Sequence, residues 1–176
     1  SATPLPCALS NLAGTTVNTT NTMHATACSM SNYGVWYTFT GDGNQTTITS
    51  IATGGFDHEM SISSGSCGTF TNIACQDIGL SNGTESYTFT TVSGVNYYVY
   101  LAHYSNTGTT KGTFTISRTC TTPPVPPIND ECINAIPLSI SSACSYSTYS
   151  NTNGTASTGI PAPGCSSYSG GDIWFS

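Results

Sequence analysis

Positive charge is almost absent from this chain. Lys111 and Arg118 are its only cations, set against eight acids, and charged residues make up 6% of the 176. Binding to phosphates or to an anionic membrane surface needs clustered Lys and Arg, so nucleic-acid binding and peripheral membrane binding are both excluded. Also missing is any apolar run near the roughly 20 residues that a bilayer-spanning helix requires, and no membrane insertion is expected. Ser1 does not open a signal peptide, so any targeting segment is expected to lie outside this chain. No stretch keeps a helical hydrophobic period for three turns. There is no C-x-x-C, and the one close His–Cys pair, His24-x-x-x-Cys28, has no second ligand pair at matching spacing, which removes the usual metal-site explanation for the eight cysteines. H-E-x-x-H does not occur, the single G-x-S-x-G match, Gly79 to Gly83, falls on turn residues rather than between a strand and a helix, and His24, His58 and His103 are widely separated, so the chain reads as a non-enzyme.

What fills the chain is Ser, Thr, Asn and Gly. Eight cysteines without a metal pattern belong to an oxidising compartment, so the localisation read from them is extracellular or at the cell surface. Alternating apolar and hydroxyl residues predict strands over Val35 to Thr40, Gln45 to Ile51, Glu59 to Ser63, Ser86 to Thr91, Val95 to His103 and Gly112 to Arg118. The period of two puts Val35, Tyr37 and Phe39 on one face, and Phe114 with Ile116 on another, as core. Gly41 to Asn44 and Ser81 to Gly83 supply turn residues that tolerate positive φ. About eight such strands in roughly 120 residues predict an all-β, disulfide-stapled two-sheet β-sandwich, jelly-roll or immunoglobulin-like.

Residues 121–127, with Pro at 123, 124, 126 and 127, read as a stiff polyproline-like linker. A repeat spans it. Ala2, Pro4, Leu5, Cys7, Cys28 and Trp36 recur in order as Ala135, Pro137, Leu138, Cys144, Cys165 and Trp174, and both Cys to Cys intervals are 21 residues. The expected domains are therefore a sandwich module over 1–120, lacking its first few residues, and the N-terminal third of a second copy over 128–176. Copy two opens with Asn129-Asp130-Glu131-Cys132-Ile133-Asn134, which copy one lacks, and runs out at Ser176 inside its Trp strand, so both ends are expected to fall inside the repeat.

The run Asn129-Asp130-x-Cys132-x-Asn134-Ala135, followed by Gly171-Asp172-Ile173-Trp174-Phe175-Ser176, resembles modules repeated in large secreted proteins of Bacteroidetes-type bacteria. More distantly it is similar to the bacterial pre-peptidase C-terminal domain. Copy one carries the rest of the pattern in Gly34-Val35-Trp36-Tyr37-Thr38-Phe39, Gly55-Phe56-Asp57, Ser66-Cys67-Gly68, Ala74-Cys75-x-Asp77, Tyr97-Tyr98-Val99 and Gly112-Thr113-Phe114-Thr115-Ile116. The resemblance implies a β-sandwich accessory module of surface adhesins, filaments or multidomain secreted enzymes. It departs from the family at Gly34, where Asp is frequent, and at Ile78, where a second acid is frequent.

Four sets of residues carry candidate chemistry. Cys67 and Cys75 enclose a short loop suited to a local disulfide, and the repeated interval predicts Cys7–Cys28 and Cys144–Cys165. Cys120 and Cys132 bond within their own modules or to one another, or else remain free thiols. Asp57, Glu59 and Asp77 are candidate oxygen ligands for calcium, with solvated acids as the alternative. Trp36, Tyr98 and Tyr100 could form an aromatic platform for sugar rings, the alternative being burial against the second sheet. Asn18, Asn44, Asn82 and Asn153 match the N-glycosylation acceptor pattern. The function expected is that of a structural or adhesive module of an extracellular bacterial fibre or surface adhesin. It would require no cofactor, its partners being copies of itself, head to tail or in the same chain, and surface glycans. The alternative is a carbohydrate-binding accessory module of a secreted hydrolase.

Overall fold

The computed structural model describes residues 1–157, 159, 161, 164 and 170–176. These fall into two units, Ser1–Pro123 and Pro124–Ser176, divided within the Pro-rich segment.

The first unit is a disulfide-stabilised β-sandwich. Its strands are β1 (Thr3–Pro4), β2 (Leu9–Thr15), β3 (Val35–Thr40), β4 (Gln45–Thr53), β5 (His58–Ser66), β6 (Thr69–Gln76), β7 (Thr84–Thr90), β8 (Asn96–His103) and β9 (Thr113–Thr121). One sheet has the order β1-β3-β8-β5-β6 and the other β2-β9-β4-β7. From β2 onward the chain crosses from sheet to sheet, staying in one sheet only for the β5–β6 hairpin. That alternation gives the jelly-roll order, which decides between the two expected sandwiches.

The strands form where Thr, Val, Ile and aromatic residues alternate, because branched and ring side chains suit a pleated, half-buried surface. Inward positions carry the core: Tyr37 and Phe39 from β3, Ile48 and Ala52 from β4, Met60 and Ile62 from β5, Val99 and Leu101 from β8, Phe114 and Ile116 from β9. Arg118 also points inward and is 3% exposed. Its guanidinium lies 3.7 Å over the Phe39 ring and donates to Thr46 Oγ1 at 3.0 Å and to the Leu5 carbonyl at 2.9 Å. A second apolar cluster of Cys28, Met30, Tyr100 and Ala102, with Trp36 against it, lies on the outer face of the five-stranded sheet. Residues 16–34 supply its cover.

The strand register also explains the disulfides, and it overturns the expected partners. Cys7 bonds to Cys120 and Cys28 to Cys75. Leu9 faces Arg118 in the β2–β9 ladder, so the same antiparallel line two residues outward sets Cys7 beside Cys120. Cys120 thus bonds within its own module. Cys67 and Cys75 cannot clip a loop because residues 69–76 are an extended strand. Ser66 pairs with Thr69 at the tip, Gly68 takes a φ of +92°, and β6 runs away from the tip at about 3.3 Å per residue. Cys67, Cys132 and Cys144 are exposed thiols among the described residues. Cys165, the expected partner of Cys144, lies outside the described residues.

Among its described residues the second unit has a short 3-10 turn at Cys132–Asn134 and a parallel bridge between Ile136 and Phe175. Its motif residues hold one another. The Asn129 side chain and backbone exchange hydrogen bonds with the Trp174 backbone, both at 2.8 Å. Asp130 accepts from Thr155 N–H and Oγ1 at 2.6 and 2.7 Å. Ser157 donates to Asp172 Oδ2 at 2.6 Å and accepts from the Trp174 indole at 2.7 Å.

Candidate functional site

The acids of the calcium expectation sit at one end of the five-stranded sheet. Glu59, on the outer face of β5, is 5% exposed. Burial first, then the negative charges of Asp77 and Glu85, push its carboxyl up to about 7. Asp77 is also raised, by burial and then by Asp57, with His103 opposing. Glu85 reaches in from β7 of the other sheet and accepts from the N–H groups of Ile78 and Gly79 at 3.0 and 2.7 Å. Desolvation raises it, and those two donors hold it partly down. Asp57 Oδ1 is buried without a hydrogen-bond partner. Among the described residues the oxygens of Asp57, Glu59 and Asp77 do not gather as a ligand set. The groups with ligand atoms within 4.8 Å of one another are Cys7, Asp42 and Cys120, and Cys28, Glu59 and Cys75. In each of these the two cysteines are already spent in a disulfide.

A serine and a histidine do meet, in the core. Ser50 Oγ lies 2.6 Å from His58 Nε2 with both residues buried. Desolvation lowers His58 to about 4 against the pull of Asp57, so the ring is neutral near pH 7. Sealed between the sheets, this pair packs against Phe56 and Phe114 and offers no approach to a substrate.

The aromatic expectation divides. Trp36 and Tyr98 stand half-buried on the outer face of the five-stranded sheet, turned away from the second sheet. Tyr100 is 1% exposed beneath them. Its hydroxyl donates to the Ser31 carbonyl at 2.9 Å, and burial raises its pKa. Tyr100 therefore belongs to the floor and not to an exposed platform. Its place is taken by Phe70 of β6, whose ring stacks 5.1 Å from Trp36 and lies 5.2 Å from Tyr98. Sequence reading missed Phe70 because it missed β6. The alternating Thr69-Phe70-Thr71 was the signal available.

Two grooves flank Trp36. One, of about 250 Å³, is walled by Trp36, Phe70, Tyr98, His24 and Met23. The other, of about 390 Å³, lies between Trp36 and the hydroxyls and amides of Asn18, Thr19, Thr20, Thr22 and Asn32. Gly34 sits at this place for a steric reason. A Cβ there would come within 2.3 Å of the Tyr100 ring, so the Asp frequent in the resembled family cannot be accommodated.

The glycosylation patterns fall in differing surroundings. Asn18, Asn82 and Asn153 are exposed with positive φ. The Asn82 side chain accepts from Gly55 N–H at 2.6 Å, and the half-buried Asn44 amide donates to Asp42 at 3.0 Å. The two cations are both engaged. Lys111 Nζ donates to the Thr19 carbonyl at 2.6 Å and lies 4.6 Å over the Tyr33 ring, while Arg118 is in the core.

No family model and no curated protein matches this chain. Among solved structures, the pre-peptidase C-terminal domain of collagenase from Bacillus anthracis is similar over 68% of this chain and 95% of its own, at 15% identity and a TM-score of 0.43. PliG of Aeromonas hydrophila, a periplasmic lysozyme inhibitor of g-type lysozyme, is similar over 69% of this chain and 96% of its own, at 13% identity and a TM-score of 0.42.

Proposed function

We propose that this chain is a non-catalytic structural and adhesive module of an extracellular bacterial fibre or surface adhesin, in which the jelly-roll sandwich recurs in tandem. The observation that carries this reading is a contact made twice. Thr3 bridges Tyr37 in parallel and Leu5 N–H donates to the Thr38 carbonyl at 2.9 Å. At the matching positions of the repeat, Ile136 bridges Phe175 in parallel and Leu138 N–H donates to the Ser176 carbonyl at 2.7 Å. A shared residue pattern that builds the same strand pairing in each unit supports common module architecture.

Two disulfides support an oxidising location outside the cytosol. Durability follows from the same features, since the two residues at which trypsin could cut are a buried Arg118 and a tethered Lys111. The experiment is electron microscopy of the natural full-length protein, paired with trypsin digestion under non-reducing conditions. Threads of regularly spaced beads with intact modules are expected. Isolated single globules at every concentration would sink the fibre reading.

A further inference from the structure

We propose that the two grooves meeting at Trp36 form one binding site for a neutral, hexose-based polysaccharide chain. The inference does not depend on tandem assembly. A pyranose presents a face of C–H groups that packs on aromatic rings, and a rim of hydroxyls that needs uncharged donors and acceptors. Both halves of that requirement lie side by side here. Trp36 is held by three rings: Phe70 stacked at 5.1 Å, Tyr98 edge-on at 6.4 Å and Tyr100 beneath it at 4.6 Å. The small side chains of Ser61 and Ser63, opposite Tyr100 and Tyr98 in the ladder, leave room for Phe70 and Trp36 to lean together. Both serine hydroxyls are buried with no hydrogen-bond partner.

Across the indole stands the polar wall. Asn32 engages Thr22 through its backbone carbonyl, which leaves its side-chain amide unspent beside Trp36. Among the described residues no Asp, Glu, Lys or Arg side chain lines either groove; the ionisable groups there are the α-amino group of Ser1, which lines both, and His24 and Cys67 in the smaller. A lining made mainly of hydroxyls, amides and rings suits neutral sugars. Two grooves sharing one indole suit a chain of sugars better than a single ring.

The wall is also fixed in advance. Cys28–Cys75 pins the segment that carries it to β6, and Ser31 is held by Tyr100 Oη and by a backbone bond to His103 at 2.9 Å. A site ordered before binding loses less entropy on closure.

The test is affinity electrophoresis of the full chain through gels containing soluble β-glucan, galactomannan or glucomannan, with polygalacturonate as the anionic comparison, followed by calorimetric titration with oligosaccharides of whichever retards it. Retardation by at least one neutral polymer is expected, with Trp36→Ala weakening binding at least tenfold. Because Trp36→Ala also strips a ring from Tyr100, Asn32→Ala serves as the second variant. Its amide makes no hydrogen bond among the described residues, so an unchanged thermal transition with several-fold weaker binding is expected. Thr88→Ala, on the outer face of the other sheet, should bind as the parent does. The proposal is overturned by no retardation with any of the three neutral polymers, by retardation with polygalacturonate alone, or by binding undiminished in both Trp36→Ala and Asn32→Ala. None of these outcomes touches the microscopy of the fibre, so the two readings fail separately.

Discussion

The outer faces of the two sheets follow the same pleat and end up with opposite chemistry. On the four-stranded sheet, hydroxyls pair across strands in the open: Thr47 with Thr88 at 2.7 Å, Thr49 with Ser86 at 2.9 Å and Thr53 with Thr113 at 2.7 Å. On the five-stranded sheet, Glu59, Ser61, Ser63, Tyr100 and Ala102 occupy the equivalent outward positions and are all buried. The difference comes from residues 16–34, which carry no strand and lie over one face only, pinned there by Cys28–Cys75. Alternation therefore tells which residues share a face. What covers that face is decided by a coil segment with no periodicity of its own.

The disulfides give the largest and most selective break of this comparison. By loop closure, Cys7–Cys120, with a sequence separation of 113, contributes about 5 kcal/mol and Cys28–Cys75, with a separation of 47, about 4 kcal/mol. Non-reducing peptide mapping should recover these two pairs. Urea denaturation of the Cys7→Ser/Cys120→Ser and Cys28→Ser/Cys75→Ser variants should show losses of these sizes. Hydrogen exchange should separate them: losing Cys28–Cys75 should release the Ser31 amide while β4 and β9 stay protected. Equal loss of protection on both sheets would mean that the covered face is not a separate layer.

A core substitution tests the side that both sheets share. Phe114→Ala should cost about 3 to 5 kcal/mol, and its outward neighbour Thr115→Ala within about 0.5 kcal/mol, measured by the same denaturation. Equal costs would put the faces of β9 the wrong way round.

How far the sequence disclosed this arrangement can be judged residue by residue. The bounds of β3, Val35–Thr40, were legible because its alternate positions are apolar and hydroxyl without interruption, and the inward parity of Phe114 and Ile116 follows in the same way. Strand β2 was hidden by Gly14 and by Asn11 at a positive φ beside a register shift. Strand β6 was hidden by its cysteine, since a short Cys67 to Cys75 interval reads as a loop. Partner choice among cysteines depends on which strands become neighbours, a non-local fact that spacing does not encode. Trp36 and Tyr98 were legible from a period of two, whereas Phe70 comes from the unread strand. Tyr100 had the right parity, but its cover was invisible. Glu85 comes to the acids from the opposite sheet, which no local pattern signals.

Neighbouring residues of β5 put the two faces in opposition through pH. Glu59 faces outward under its cover, and its folded pKa is raised from 4.5 to about 7. Stability linked to it is fully present below about 4.5 and is lost as pH rises through 7. His58 faces inward, and its folded pKa is lowered from 6.5 to about 4. Stability linked to it is present above about 6.5 and is lost as pH falls through 4. Between these limits the two slopes oppose, so the parent protein should show a shallow dependence. Glu59→Gln leaves the histidine alone. The variant should exceed the parent at pH 7 by on the order of 2 kcal/mol and show no advantage near pH 4.5. Equal stability at both pH values would mean that the segment over Glu59 opens enough to hydrate its carboxylate.

The smallest effect lies on the open face, and it is the sharpest statement of what an uncovered sheet contributes. Thr47 and Thr88 are directly opposed in the β4–β7 ladder with hydroxyls 2.7 Å apart. Water competes for both hydroxyls, so their net worth is set by the difference between a mutual bond and two hydrated ones. A double-mutant cycle of Thr47→Val and Thr88→Val should give a coupling of about 0.2 to 1 kcal/mol. Valine keeps the branched shape that suits a strand, so the cycle reports the hydroxyl pair rather than packing. The same cycle between Trp36 and Phe70, with each truncated to alanine, should give about 0.5 to 1.5 kcal/mol, because stacked rings add to the apolar area they bury. If the threonine pair proved the stronger of the two, the open face would be excluding water as the covered one does, and the distinction between the sheets would rest on composition alone.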